Sequence, residues 1–256
     1  MVNKIDCRLQ IDPPADGAWN MAVDEALLAE AHVSKHPTLR FYQWERPTLS
    51  LGYFQKYAER SHHTGSLKED VVRRLSGGGA ILHDQELTYS LILPASHPLA
   101  GNTQALYSAV HHVLVQILQS AIADAPNCNF ESCTDLSDPD PFLCFQRRFE
   151  GDILLKTPDQ KKHKIVGSAQ RRRQGGVLQH GSILLAMSTV APELPGIQEL
   201  TGIQIQPETL SLALPTSLAK SLKLNLIPDK LSHKLKNSAL QIRLKKYLCD
   251  RWTNRR

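Results

Sequence analysis

A single thiol and a single lysine carry the most chemical meaning in this chain. Cys144 sits in PFLCFQRRFEGDILL (141–155), and Lys164 opens KIVGSAQRRRQGGVLQHGSILL (164–185). A thiol near a lysine ammonium has a lowered pKa and can act as a nucleophile. Small residues in a strand mark close approach by a ligand, and Gly167 and Ala169 follow Lys164 at once. A lysine there can polarise a carbonyl or hold a developing oxyanion. Together these features suggest acyl transfer. The other reading of Cys144 is a small buried hydrophobe between Leu143 and Phe145. Cys128 and Cys133 are rival thiols in a looser segment, with no basic partner placed beside them.

A second group of residues lies in RRLSGGGAILHDQELTYSLIL (73–93). Gly77, Gly78 and Gly79 remove three Cβ atoms in a row, which lets a ligand touch the main chain. Arg73 and Arg74 just before them can meet a phosphate or a carboxylate, or can be a solvated pair beside a tight turn. His83 stands next to Asp84 and can do acid–base work or orient a loop. Adjacent strand residues face opposite ways, so the two need not act together. His180 and Gly181, in the strand that follows the Lys164 strand, can face the same place. The glycines form neither GxGxxG nor GxxxxGK[ST], so a dinucleotide or P-loop site is poorly supported.

The elements that position these residues follow from patterning. Residues 18–33 read as a helix with Asp16 as a possible cap, and Trp19, Ala22, Val23, Ala26 and Leu27 on one face. Two strands follow, broken at Arg46-Pro47. Residues 71–75 and 79–93 read as strand, glycine turn and strand. The clearest helix spans 102–125, with Leu106, Val110, Val113, Ile117 and Ala121 at helical spacing. Residues 127–143 read as loop, with SDPDP at its heart. Strands are expected at 148–156, 163–170 and 176–186, the first two joined by a turn at Thr157-Pro158-Asp159. Helices are expected near 192–201, 207–223 and 228–251. Strands grouped with helices between and after them give an α+β class.

Composition is that of an ordinary globular chain. Of 256 residues, 41% are hydrophobic and 21% charged. No run of eighteen apolar residues appears, which argues against a membrane span. The N-terminus lacks the apolar stretch of a signal peptide. Five cysteines without CxxC argue against a disulfide framework and for a reducing, cytoplasmic setting. No histidines and cysteines recur at zinc spacing, so no metal is expected. The net charge of +5 is concentrated at 161–164, 171–173 and 230–256. Such a surface favours acidic partners, a carrier protein or nucleic acid, or is simply solvated.

NMAVDEALL, PTLRFYQWERPTLSLGYFQ and the two glycine-bearing segments occur in an order that resembles the lipoate–protein ligase, octanoyltransferase and biotin-ligase superfamily, over residues 5–200. Within it the chain looks most like the LipM-type octanoyltransferases. The resemblance implies a central mixed β-sheet flanked by helices, a class II aminoacyl-tRNA synthetase-like fold. Residues 1–205 would form the catalytic domain and 206–256 a short helical C-terminal extension packed on it. It further implies that Cys144 is the nucleophile, with Phe145 after it, Glu150 at the family glutamate and Lys164 at the family lysine. Arg73, Arg74, Gly77, Gly78, Gly79, His83, Gly167, Ala169, His180 and Gly181 would bind substrate. The partners implied are octanoyl–acyl carrier protein as donor and a lipoyl domain as acceptor, glycine cleavage protein H or an E2 subunit. No cofactor is implied, because passage from thioester to amide runs downhill without ATP. A nucleic-acid partner is disfavoured, since it leaves the glycines, Lys164 and Cys144 without a shared purpose.

Other branches fit less well. LipB-type octanoyltransferases resemble this chain but place their cysteine after the HG strand, where this chain has AMSTVAPELPG. The GRGRxGR-type loop of biotin ligases is absent. ATP-dependent lipoate ligases resemble the chain around the glycines and Lys164 and form the alternative, as does an amidotransferase acting between lipoyl domains.

Overall fold

Regular elements form where apolar residues repeat at a strand or helix period. The computed structural model describes residues 4–135 and 141–256. β1 (Ile5–Ile11) leads to α1 (Gly17–Glu30), β2 (Thr38–Tyr42), β3 (Thr48–Leu51), β4 (Asp70–Arg73), β5 (Ile81–His83) and β6 (Glu86–Leu93). Then come α2 (Thr103–Ala121), β7 (Asn129–Ser132), β8 (Ile153–Lys156), β9 (Lys162–Arg173) and β10 (Gly176–Leu184). The chain continues through α3 (Ile197–Thr201), α4 (Pro207–Leu222), β11 (Leu224–Pro228), α5 (His233–Ile242) and α6 (Asp250–Thr253).

Among the described residues, eight strands make one sheet in the order β11-β1-β2-β6-β10-β9-β8-β7. The β11, β1 and β2 pairings are parallel and the rest antiparallel, so the sheet is mixed. β4-β3-β5 form a second, small sheet. The class is α+β, as expected.

β2, β6 and β10 are buried along their whole lengths because helices cover both faces. On one face Phe41, Tyr89, Leu91 and Val177 pack with Val110 and Leu114 of α2 and Leu214 of α4. On the other, Tyr42, Ile92 and Leu178 meet Val23 and Leu27 of α1 and Leu235 of α5. Each such fully buried aliphatic side chain contributes about 1.5–3 kcal/mol. Asp16 caps α1 by accepting from Trp19 N at 2.8 Å, and Asn102 caps α2 by accepting from Ala105 N at 2.9 Å.

Three expectations need correction. The run 79–93 is two strands, β5 in the small sheet and β6 in the large one. β4 and β5 do not pair with each other across the glycines. They flank β3, parallel on one side and antiparallel on the other. Residues 127–143 are not all loop: β7 pairs with β8 at the sheet edge. Most of the SDPDP segment lies outside the described residues. The C-terminal stretch is not only helical, because β11 runs parallel to β1 from Ile5↔Leu224 to Leu9↔Pro228. Among the described residues no helix is long and apolar enough to cross a membrane.

Candidate active site

Cys144 begins a short 3-10 turn, Cys144–Gln146, directly beside the glycine segment. Its amide donates to Ala80 O at 2.7 Å, and Ala80 N donates to Phe142 O at 3.0 Å. The cysteine loop is therefore pinned to the residue after Gly79. A Cβ on Gly79 would stand 2.8 Å from Arg147 Nε and 3.0 Å from Phe142 O, so a side chain there would crowd the contact between the two segments.

Lys164, at the start of the long β9 strand, is buried and aims at the same place. Its ammonium lies 2.6 Å from Asp152 Oδ2, 3.3 Å from Cys144 O and 3.8 Å from Cys144 Sγ. A Cβ on Gly167 would sit 2.7 Å from Lys164 Cε, so the glycine makes room for the lysine stem. The phenyl rings of Phe145 and Phe149 face the ammonium at 5.7 and 5.8 Å from their centroids.

These groups open onto one pocket. Among its lining are Gly77, Gly78, Arg74, His83, Cys144, Lys164, Gly167, Ala169, His180 and Gly181. Met21, Ile81 and Phe149 add apolar surface. A largely apolar cleft with a few convergent polar groups suits a small acyl ligand. Pairing of β9 with β10 sets Ala169 opposite His180 and Gly167 opposite Ser182, which brings the two glycine-bearing strands onto one wall.

The two arginines are not presented to a ligand. Arg73 does not line the pocket: its guanidinium donates to Gly52 O, Gln55 O and Thr253 O at 2.7–3.0 Å. Arg74 lies under the glycine turn and donates to Gly77 O, Gly79 O and Ser50 O at 2.6–2.8 Å. Burial pushes its guanidinium down to about 10. Both arginines shape the backbone, and the expected phosphate- or carboxylate-binding pair is not what this geometry presents.

The histidines are likewise held by the protein. His83 stacks on Trp44 with centroids 3.8 Å apart and sits between Ser50 Oγ at 2.7 Å and Glu86 Oε1 at 2.8 Å. Burial holds its ring below the ordinary histidine value, against the pull of Glu86. His180 meets Ser76 Oγ at 2.5 Å and Asp24 Oδ2 at 3.5 Å, tying the glycine turn to β10 and α1. Burial pushes Asp24 up, but the His180 bond and the Arg40 charge outweigh it and hold the carboxyl below its ordinary value. Glu150 is exposed at the pocket rim. Cys128 and Cys133 are buried and do not line this pocket.

Several residues of the site were not anticipated. Asp152 is buried, accepts from Phe149 N at 2.8 Å and from Tyr107 OH at 3.1 Å, and pairs with Lys164. Its only trace in the sequence is an acid at the head of the apolar run ILL. Tyr107 and His111 are one helical turn apart on α2 and stack at 4.0 Å. His111 lies 2.7 Å from Gly151 O and 2.6 Å from Ser168 Oγ, so its Nδ1 donates and its Nε2 accepts. Burial pushes it down to about 4, opposed by the Gly151 carbonyl and reinforced by the Lys164 charge. Tyr89 OH joins Ser168 at 2.6 Å and accepts from Gln179 at 3.0 Å. A closed hydrogen-bonded network thus backs the wall behind Lys164. Among the described residues no cluster of His, Cys, Asp and Glu could hold a metal ion.

A thiol and a buried ammonium face one largely apolar pocket on a mixed sheet of this order, an arrangement that suits an enzyme of acyl transfer. The chain belongs to the lipoyl protein ligase A/B catalytic-domain family, whose model matches residues 16–210. It is similar to the octanoyltransferase LipM of Kyrpidia tusciae, 32% identical over 266 residues, covering 93% of this chain and 95% of the relative. The LipM of Lysinibacillus sphaericus is 33% identical over 267 residues, covering 92% and 94%. Among solved structures, lipoate-protein ligase A bound with ATP superposes with a TM-score of 0.71 at 21% identity, covering 98% of this chain and 99% of the other. The bipartite lipoate protein ligase of Thermoplasma acidophilum gives 0.69 at 18%, covering 98% and 96%. The structures speak for the fold alone.

Proposed function

We propose that this protein is an octanoyltransferase that moves octanoate from octanoyl–acyl carrier protein to a lysine of a lipoyl domain through a Cys144 thioester, in the cytoplasm, for lipoate biosynthesis. The observation that carries the reading is the 3.8 Å approach of Lys164 Nζ to Cys144 Sγ on the wall of the pocket. An ammonium there stabilises negative charge on sulfur.

The sulfur attacks the donor's carbonyl carbon, a new C–S bond forms, and the donor's C–S bond breaks. The carrier leaves as its thiol. The acceptor lysine then attacks with its neutral amine, forms the amide, and expels Cys144. The amine loses one proton and the cysteine thiol regains one. Two half-reactions through a covalent intermediate give ping-pong kinetics. The octanoyl tail lies in the slot beside Gly77, Gly78 and Gly167. Burial at about 0.8 kcal/mol per CH2 contributes roughly 5 kcal/mol for the tail, before ordering costs. Kinship with the LipM octanoyltransferases supports the choice of octanoyl over lipoyl.

Intact mass after mixing with octanoyl–acyl carrier protein, without ATP, tests the reading. A single hydroxylamine-sensitive octanoyl adduct is expected, absent in Cys144→Ser. Absence of the adduct in the unmodified chain, with ATP-dependent adenylation of free lipoate instead, would make it a lipoate ligase. An adduct taken only from an octanoylated lipoyl domain would make it an amidotransferase.

A further inference from the structure

The C-terminal residues fold back onto the loop after β3, beside the glycine turn. Trp252 Nε1 donates to Arg73 O at 2.8 Å, and Tyr57 N donates to Arg256 O at 2.9 Å. This places Arg255 over the Tyr53 ring at 4.0 Å and Arg256 over the Phe54 ring at 5.3 Å. From the sheet, Arg171 reaches the same Tyr53 ring at 4.8 Å. The rings themselves pack edge to face at 4.9 Å.

This platform lies close to two residues of the pocket lining, Gly77 and Ala169. Phe54 is 63% exposed, and its ring comes 3.7 Å from where a Cβ on Gly77 would be. Arg171 follows the pocket residue Ala169 by two positions on β9, hence on the same face of the sheet. Among the described residues none of these three arginines pairs with an acidic side chain, whereas Arg173 and Lys246 close by share Glu25. Three guanidinium groups without an acidic side-chain partner, laid on aromatic rings beside the pocket lining, make a ready site for an anionic surface.

We propose that Arg171, Arg255 and Arg256, stacked on Tyr53 and Phe54, are the docking surface for the acidic carrier protein that brings the acyl thioester to Cys144. The inference rests on the reading of Cys144 as the acyl acceptor. Chemistry favours the donor over the acceptor here. A carrier presents acidic side chains around a phosphate-linked thioester arm, and guanidinium forks match both. The acceptor presents an amine that is an ammonium in solution, which three clustered cations repel.

The test uses the full chain carrying Arg171→Glu and Arg255→Glu, with the double glutamine variant as a milder partner and a melting curve for each. Two donors are compared: octanoyl–acyl carrier protein, and octanoyl-N-acetylcysteamine, an uncharged thioester without a carrier. With the carrier, the rate of Cys144 acylation is expected to fall about tenfold or more at low salt, and its salt dependence to flatten. With the small thioester the rate stays unchanged. Fluorescence anisotropy of the labelled carrier follows the same order: unmodified chain, glutamine variant, glutamate variant. Equal losses with both donors, unchanged acylation by the carrier, or a loss confined to transfer onto the lipoyl domain would each overturn the docking assignment. So would weakened binding of a single-stranded oligonucleotide with carrier binding intact. If the carrier binds and the variants release it, yet neither donor acylates Cys144, the docking surface stands and the thioester reading fails. If the small thioester acylates Cys144 but the carrier does not bind, the docking surface fails and the nucleophile stands.

Discussion

Asp152 Oδ2 lies 2.6 Å from Lys164 Nζ, and the two side chains keep only 3% and 2% of their exposure. The ammonium is thus divided between the Asp152 carboxyl and a thiol 3.8 Å away. Asp152 holds the lysine by charge and is itself held by Phe149 N and Tyr107 OH. Lys164 is fixed before any substrate arrives.

Asp152→Asn keeps the shape but only one accepting oxygen for the Phe149 N and Tyr107 OH donors, and it leaves a buried cation without its partner. Breaking one side of a buried pair costs about 3–5 kcal/mol. For a chain of this size that lowers Tm by roughly 10 °C. Displacing Lys164 by about 1 Å should slow Cys144 acylation on the order of a hundredfold. Combining Asp152→Asn with Lys164→Met removes both charges. Melting should then recover toward the parent value while acylation stays low. A double variant that melts no higher than Asp152→Asn alone would refute a stability role for the ion pair.

Gly167→Ala tests the lysine's position from another side. The added Cβ would meet Lys164 Cε at 2.7 Å, and the lysine end gives way more easily than the strand. Little stability is lost, with a Tm shift of a few degrees at most, corresponding to about 1 kcal/mol. Acylation should fall about tenfold or more because the ammonium moves. The methyl also narrows the pocket, so acetyl and octanoyl thioesters need comparing. Equal losses for both point to lysine displacement; a loss for octanoyl alone points to exclusion of the tail and rejects it.

Much of this arrangement was legible in the chain, for local reasons. Asp16 before an apolar helical face, the Arg46-Pro47 break and the alternation around Leu87, Tyr89 and Leu91 are short-range signals. The glycines also announced close approach, and Gly79 and Gly167 do allow it. What was not legible depends on distant parts of the chain. Arg73 and Arg74 read as cations for a ligand because their acceptors, the carbonyls of residues 50, 52, 55, 77, 79 and 253, come together only in the fold. β7 and β11 are short edge strands, and only their partners β8 and β1 distinguish them from loop. Asp152 and His111 belong to no motif: one follows Glu150-Gly151 and the other begins a His-His pair on a helix. Their roles appear only when α2, β9 and the turn before β8 meet.

His111 gives the chain a pH dependence whose sign follows from its surroundings. Burial, reinforced by the charge of Lys164 and opposed by the Gly151 carbonyl, pushes the folded-state ring down to about 4. In the unfolded chain it titrates near 6.5. Between these values the unfolded chain binds the extra proton, so stability is full above about pH 6.5 and is lost as pH falls toward 4. A shift of that size corresponds to roughly 3 kcal/mol across the window. His83 and His97, both also held low by burial, add slopes of the same sign, so the contribution of His111 must be taken as a difference. His111→Gln keeps a side-chain amide near Gly151 O and Ser168 without a titrating ring. It should be less stable than the parent at pH 7.5 and nearly level with it at pH 4.5, a narrowing readable in urea midpoints at the two values. A gap that stays constant from pH 7.5 to 4.5 would show that His111 is not held neutral in the folded protein. Ser168 and Tyr89 share its network, so the same variant should also slow Cys144 acylation modestly at pH 7.5, where the ring is neutral. That loss marks His111 as a positioning residue behind Lys164 rather than a proton carrier.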